Sequence, residues 1–168
     1  MTGGADGESV EAGAFRAVMR RFPTGVAIVT TVLAGRPKGF TATAIASVSL
    51  EPPMVLVCAN RRGRSHPIVA AAEHFCVNLL TLQQEPLARA FARASEDDPF
   101  AGLSYRAGIT GSPVLEGVLA YLDCTLAEEY VAGTHAIFVG RVVNCGTAAG
   151  EPLGYFGGGY ANFGVHVP

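Results

Sequence analysis

Four small hydroxyl side chains, Thr41, Thr43, Ser47 and Ser49, share one set of alternating positions in the nearly uncharged run Gly39–Pro53, GFTATAIASVSLEPP. An ordinary half-buried strand puts large apolar side chains on one face and charged ones on the other. Here one face carries Thr41, Thr43, Ile45, Ser47 and Ser49, and the other Phe40, Ala42, Ala44, Ala46, Val48 and Leu50. Small hydroxyls let a flat, polar-edged molecule approach the backbone and meet short donors. A buried hydroxyl without a partner costs about 1–3 kcal/mol, so a buried row of them implies a bound ligand or water. An exposed polar edge is the competing reading. The apolar flanking strands favour a place inside the sheet.

A second grouping is Arg61, Arg62 and Arg64, just ahead of Ser65, which can cap a helix with Pro67 in its first turn. Free amides and the helix dipole at such a terminus suit an anion; a solvated basic loop is the alternative. His135 stands in a turn after Gly133 and Thr134, where histidines are commonly just exposed. His66 and His74 flank one helix and His166 lies in the tail, none at metal-ligand spacing from another ligand. No serine sits in a G-x-S-x-G elbow, and neither a G-x-G-x-x-G after a strand nor a Walker-type loop occurs. Hydrolytic and metal chemistry drop out by elimination. What remains is a protein that takes a flat, polar-edged ligand with an anionic end.

These groups need elements to hold them. Phe15, Val18, Met19 and Phe22 recur at helical spacing over Ala14–Phe22, and Pro23 ends that helix. VAIVTTVL reads as a buried strand, and the turn-rich Ala34–Gly39 as a hairpin loop longer than two residues. Met54–Ala59, uniformly apolar, is a central strand. A helix follows from Ser65 through His74, then a strand over Phe75–Leu82 and a helix over Glu85–Arg93 with Leu87, Ala90 and Phe91 on one side. Residues 94–111 form an acidic surface excursion. Ala120–Leu126 and AIFVGRVVNC are further strands, and a short strand, a tight turn and a tail close the chain. Six or seven strands not alternating with three short helices exclude a doubly wound α/β fold. They predict an antiparallel barrel with helices over its ends.

The 168 residues are 49 % hydrophobic and only 15 % charged, which predicts one domain with an apolar subunit interface. A net charge of −2 argues against nucleic acid or an anionic membrane as partner. No window is long and apolar enough for a membrane span. Residues 1–13 read as a disordered tail rather than a signal peptide, leaving 14–168 as the folded domain. Cys58, Cys76, Cys124 and Cys145 show no C-x-x-C pairing and read as buried free thiols in a reducing cytoplasm.

Five segments occur in a characteristic order: FPTGVAIVTT (22–31), GFTATAIASVSLEPPMVLVC (39–58), FCVNLL (75–80), GTHAIFVGRV (133–142) and PLGYFGGGY (152–160). Through them the chain resembles the short-chain flavin reductases, the reductase components of two-component flavin-dependent monooxygenases. That resemblance implies a mainly β, Greek-key antiparallel split barrel, normally a homodimer. It implies hydride transfer from NADH or NADPH to FMN or FAD, with reduced flavin released to a separate oxygenase. By the same resemblance, Thr41, Ala42, Thr43 and Ala44 line the ring and ribityl edge, with Pro23 and Thr24 bordering the ring. Ser47, Arg64 and Ser65 hold the phosphate end, His135 contacts the nicotinamide nucleotide, and Tyr160 stands near the cofactor cleft. The family's Gly-Asp-His is Gly133-Thr134-His135 here. That departure leaves open a protein that carries or senses flavin without efficient turnover.

Overall fold

The computed structural model describes residues 10–93 and 98–164. Helix α1 (Ala12–Met19) leads to the two-residue strand β1 (Thr24–Gly25) and the hairpin of β2 (Ala27–Leu33) and β3 (Arg36–Ala42). Strands β4 (Ile45–Leu50) and β5 (Pro53–Asn60) form the next hairpin, followed by α2 (Ser65–Ala72) and β6 (His74–Leu79). A single 3-10 turn, Leu82–Gln84, precedes α3 (Glu85–Ala92). A small ribbon of β7 (Tyr105–Ala107) and β8 (Pro113–Leu115) comes before the two long strands β9 (Ala120–Ala132) and β10 (His135–Thr147). The hairpin of β11 (Leu153–Phe156) and β12 (Gly159–Asn162) follows.

Seven strands make one antiparallel sheet in the order β3-β2-β6-β9-β10-β5-β4, and β1, β11 and β12 make a second. The two outermost strands of the large sheet are neighbours in sequence, separated only by Thr43 and Ala44. The sheet therefore has to curl until its edges meet at that corner. Its order gives no ladder between β3 and β4, so the barrel is split there. This is the mainly β, antiparallel split barrel with flanking helices that the sequence predicts.

Burial explains the β-branched run of β2. Its successive side chains point to opposite faces, and both faces are covered. Val29 joins Val57, Val69, Phe75, Val77 and Phe138 in one cluster, while Ile28 joins Leu80, Phe91, Phe100 and Leu153 in another. Strands covered on both sides read as continuous apolar runs. The polar residues within this core are paired. Asn78 donates to the Thr30 hydroxyl at 3.0 Å and accepts from the Leu115 amide at 2.9 Å, which fastens β8 to the barrel. Buried Asp123 accepts from the Thr110 amide at 3.1 Å on the same excursion.

Several expectations need correction. The β2–β3 connection is a two-residue turn: Ala34 and Gly35 both take positive φ, 51° and 71°. That geometry matches the right-handed twist of the flanking strands, so Arg36–Gly39 belongs to β3 and not to a loop. The hydroxyl-rich run is not one strand inside the sheet but the two edge strands β3 and β4, with a register shift between Ser47 and Ser49. Ser65 is the first helical residue of α2 rather than its cap; Arg64 occupies the cap position and makes no side-chain capping bond. That helix stops at Ala72 because Glu73 turns left-handed at φ 58°, and His74 opens β6. On α3 the buried residues are Ala88 and Phe91, while Ala90 faces outward. Of the four free thiols only Cys76 and Cys124 are buried; Cys58 is half-buried and Cys145 exposed. Helix α1 starts at Ala12, earlier than expected, and buries none of its residues. The tail at residues 1–9, part of the excursion at 94–97 and His166 lie outside the described residues.

Candidate functional site

Helix α3 runs antiparallel to β3, fixed by two contacts. The Thr41 hydroxyl donates to the Ala88 carbonyl at 2.7 Å. One turn on, the Phe91 ring lies so close to Gly39 that an added Cβ would stand 2.9 Å from it. Only a glycine allows that approach without displacing the ring. The far end of α3 thus reaches the hairpin end of β3. There Arg64 donates from Nη2 to the Arg93 carbonyl at 2.7 Å, tying the start of α2 to the end of α3.

Between these pieces lies an open cleft of about 1150 Å³, walled by residues 36–41 of β3, 62–65 before and at the start of α2, 90–93 of α3, and Asp98–Phe100. Thr41, Arg64 and Ser65 line it. With no side chain capping α2, the first amides of that helix keep their donors for a ligand. The cleft rim is strongly basic in a chain of net charge −2.

The other predicted residues fall around this cleft rather than in it. Ala42 is buried in the core beside Val29 and Val57, so it offers a ligand only backbone. Thr43 and Ala44 form the β3–β4 corner, where the Ala44 carbonyl accepts from the Cys58 amide at 3.0 Å. Ser47 is exposed on β4 opposite Val55. Pro23 is exposed just before β1. Thr24, next in the chain, pairs with Tyr155, and its Oγ1 is the one buried side-chain polar atom without a hydrogen-bond partner among the described residues.

Tyr155 pairs in turn with Tyr160, the two rings standing edge-on at 5.6 Å. The Arg89 guanidinium of α3 covers the Tyr160 ring at 4.8 Å and is held by Glu85 at 2.6 Å. Burial pushes the Tyr160 phenol up from its usual pKa, and the Arg89 charge offsets part of that shift. Helix α3 therefore connects two groups, with Thr41 and the basic cleft on β3 and Thr24, Tyr155 and Tyr160 on the smaller sheet.

His135 opens β10 opposite Asn60 and is exposed. Its Nδ1 lies 3.0 Å from the Thr134 hydroxyl, which leaves Nε2 facing outward. The Thr134 carbonyl accepts from the Arg61 amide at 3.0 Å, and Asn60 Oδ1 accepts from the Arg62 amide at 2.9 Å. The histidine turn is thereby joined to the basic turn that leads into α2.

Sequence reasoning did not single out Arg36, Lys38, Arg89 or Arg93. The first two alternate along what proved to be strand, a signal hidden while Ala34–Gly39 was read as loop. Arg89 could have been found from its i,i+4 relation to Glu85 on α3.

A flat cofactor with a phosphorylated end fits these observations: a basic cleft, an uncapped helix start and an orphaned buried hydroxyl. Comparison with known proteins agrees. Residues 19–164 match the flavin reductase like domain. The reductase subunit HsaB of a flavin-dependent monooxygenase from Mycobacterium tuberculosis is 39% identical over 149 residues, covering 87% of this chain and 79% of that protein. The crystal structure of nitrilotriacetate monooxygenase component B from Mycobacterium thermoresistibile superposes with a TM-score of 0.87 at 35% identity, covering 94% of this chain and 89% of that one. The NADH:FAD oxidoreductase SgcE6 of Streptomyces globisporus C-1027 has a TM-score of 0.86 at 33% identity, covering 97% and 100%. With its split barrel and its motifs in family order, the chain belongs to the flavin reductase-like family.

Proposed function

We propose that this protein is an NAD(P)H-dependent flavin reductase that binds FMN or FAD, reduces it, and supplies the reduced flavin to a separate monooxygenase component. The carrying observation is the family match over nearly the whole domain, with relatives named as reductase subunits of monooxygenases. The orphaned Thr24 hydroxyl and the basic cleft support it from the chain itself.

Flavin, when bound, would supply a ring able to accept a hydride. The chain's own residues bind and orient. In this reading Thr24 and Pro23 border the ring, and the Thr41–Ala44 corner presents backbone groups along its edge. Arg64 and Ser65 take the phosphate end with the free amides of α2, and Ser47 stands on the adjoining strand. Tyr160, held by Arg89, shapes the neighbouring wall. His135 meets the nicotinamide nucleotide through Nε2 while Thr134 fixes the ring through Nδ1. The Thr134 hydroxyl thus retains a contact to the histidine where the family has aspartate, which favours turnover over simple flavin carriage.

The uncovered apolar stripe Phe15, Val18, Met19 and Phe22 supports pairing of two copies into a homodimer. No described helix is long and apolar enough to cross a membrane, and a reducing cytoplasm suits the free thiols.

The test is NAD(P)H oxidation by purified protein with FMN or FAD. A rate far above that of free flavin is expected; no acceleration with either flavin and either nucleotide rejects the function. His135→Ala is expected to raise the nicotinamide KM or lower the hydride-transfer rate while flavin Kd stays nearly constant. Equal loss of both contradicts its assigned role.

A further inference from the structure

The turn that leads into α2 is fastened to the β9–β10 hairpin at both of its ends. At its start the Arg61 amide donates to the Thr134 carbonyl at 3.0 Å, main chain to main chain. At its far end stands His66, the second residue of α2, with Nε2 2.6 Å from Glu129 Oε1. An ionised carboxylate only accepts, so the imidazole carries a proton on Nε2 and donates it. Between the two fastenings lie Arg64 and Ser65, at the uncapped start of the helix.

The His66–Glu129 clasp is seated on the core. Glu129 stands opposite Phe138 in the β9–β10 ladder, and directly opposed residues share one face of a sheet. Phe138 is fully buried, and its ring meets the His66 ring at 5.5 Å between centroids. His66 therefore touches both members of one cross-strand pair, packing on one and bonding to the other. Helix α2 is itself anchored through Val69, in the same core cluster as Phe75 and Phe138. The hairpin end is held far less. The β6–β9 ladder stops at the His74–Thr125 pair, with one more bond from the Leu126 amide to the Glu73 carbonyl at 2.9 Å. From Glu128 on, β9 has β10 as its one ladder neighbour among the described residues. Residues 127–135 are exposed throughout on the chain.

We propose that His66 and Glu129 are positioning residues: their bond holds the outer part of the β9–β10 hairpin, and with it the His135 turn, in register with the start of α2. The proposal rests on the flavin reductase reading, in which His135 meets the nicotinamide nucleotide and the start of α2 takes the flavin phosphate. A misplacement of about 1 Å, caused by a change away from the chemistry, can cost about 100-fold in rate. The clasp sets that register without touching either reactant.

Two readouts test it. In the flavin-free protein, hydrogen exchange of the 127–135 amides is expected to quicken at least threefold in His66→Ala and in Glu129→Ala, with β2 and β6 unchanged. In turnover each variant is expected to lose at least fivefold in kcat/KM for the nicotinamide nucleotide while flavin Kd stays within twofold. The double variant should be no worse than the more impaired single one, because both remove the same contact. Glu129→Gln keeps an acceptor oxygen for the imidazole N–H and should restore most of the loss. Unchanged exchange, additive losses in the double variant, no rescue by glutamine, or flavin affinity that falls in step with kcat/KM overturns the proposal. A wild-type protein that accelerates NAD(P)H oxidation with neither flavin overturns the reading beneath it instead, a failure the exchange measurement does not share.

Discussion

Replacing Thr24 with valine should make the empty protein more stable and its flavin complex weaker. Valine keeps the β-branched shape that suits strand β1 and removes only the hydroxyl. That hydroxyl is buried with no partner among the described residues, and an unsatisfied buried polar group costs about 1–3 kcal/mol. Removing it should therefore return about 2 kcal/mol. For a chain of this length each kcal/mol moves the melting temperature by about 2–4 °C, so Thr24→Val should melt about 4–8 °C higher without cofactor. If the hydroxyl is reserved for flavin, its loss removes one hydrogen bond from the complex, about 0.5–1.5 kcal/mol, or roughly 2- to 12-fold in Kd. Thermal melts of the flavin-free protein and quenching of flavin fluorescence read the two effects separately. Thr24→Ser, which keeps the hydroxyl, should hold the wild-type Kd. A lower melting temperature for the valine variant refutes the claim that the group is unsatisfied. A higher one with unchanged Kd refutes its reservation for the cofactor.

Three further outcomes follow. Thr134→Val removes the hydroxyl 3.0 Å from His135 Nδ1 and frees the imidazole to rotate. The nicotinamide KM should rise about 3- to 10-fold, the effect of one hydrogen bond, with flavin Kd within about twofold; a shift in flavin Kd alone contradicts the placement. The buried thiols set an alkaline limit on stability. Burial, then the Asp123 charge, pushes Cys124 up to about 12 and Cys76 still higher. Thiols held neutral in the fold stabilise it fully below their unfolded pKa, about 8.5, and that contribution is lost as pH rises from there toward 12. Each adds up to about 1.4 kcal/mol per pH unit to the loss, so denaturant midpoints should fall steeply above pH 9, and less steeply with Cys76→Ala and Cys124→Ala together. At pH 8 a thiol reagent should label Cys145 and leave Cys76 and Cys124 untouched; rapid labelling of either contradicts their burial.

The barrel was legible because burial writes itself into residue type. The unbroken β-branched run of β2 and the apolar runs of β5, β6 and β10 reflect strands with covered faces. Helix α3 was legible from Leu87 and Phe91 at helical spacing. What the sequence concealed was tertiary. Nothing in GFTATAIASVSLEPP shows that its two halves sit on opposite edges of one sheet, because edge position depends on which distant strands pair. Local reading of Ala34–Gly39 failed because an alanine at φ 51° is uncommon for a residue with a Cβ, and the turn it permits is invisible from composition. Of the candidate site, Thr41, Arg64 and Ser65 stood out by residue type and spacing, while Thr24, Tyr160 and the role proposed for His135 came through the family resemblance. The union of Arg36, Lys38 and Arg93 with Arg64 required the helices to be in place.

The split between β3 and β4 has a consequence for upkeep of the fold. Two adjoining sheet margins present raw main-chain hydrogen-bonding groups, the kind of border through which chains stick to one another. A molecule lodged along that seam shields it, and preferential binding to the native form deepens the native well by RT ln(1 + [L]/Kd). On the proposed flavin reading, guarding the seam and serving as the reactant would fall to the same small molecule, so each departure of product would briefly return the chain to its least protected form.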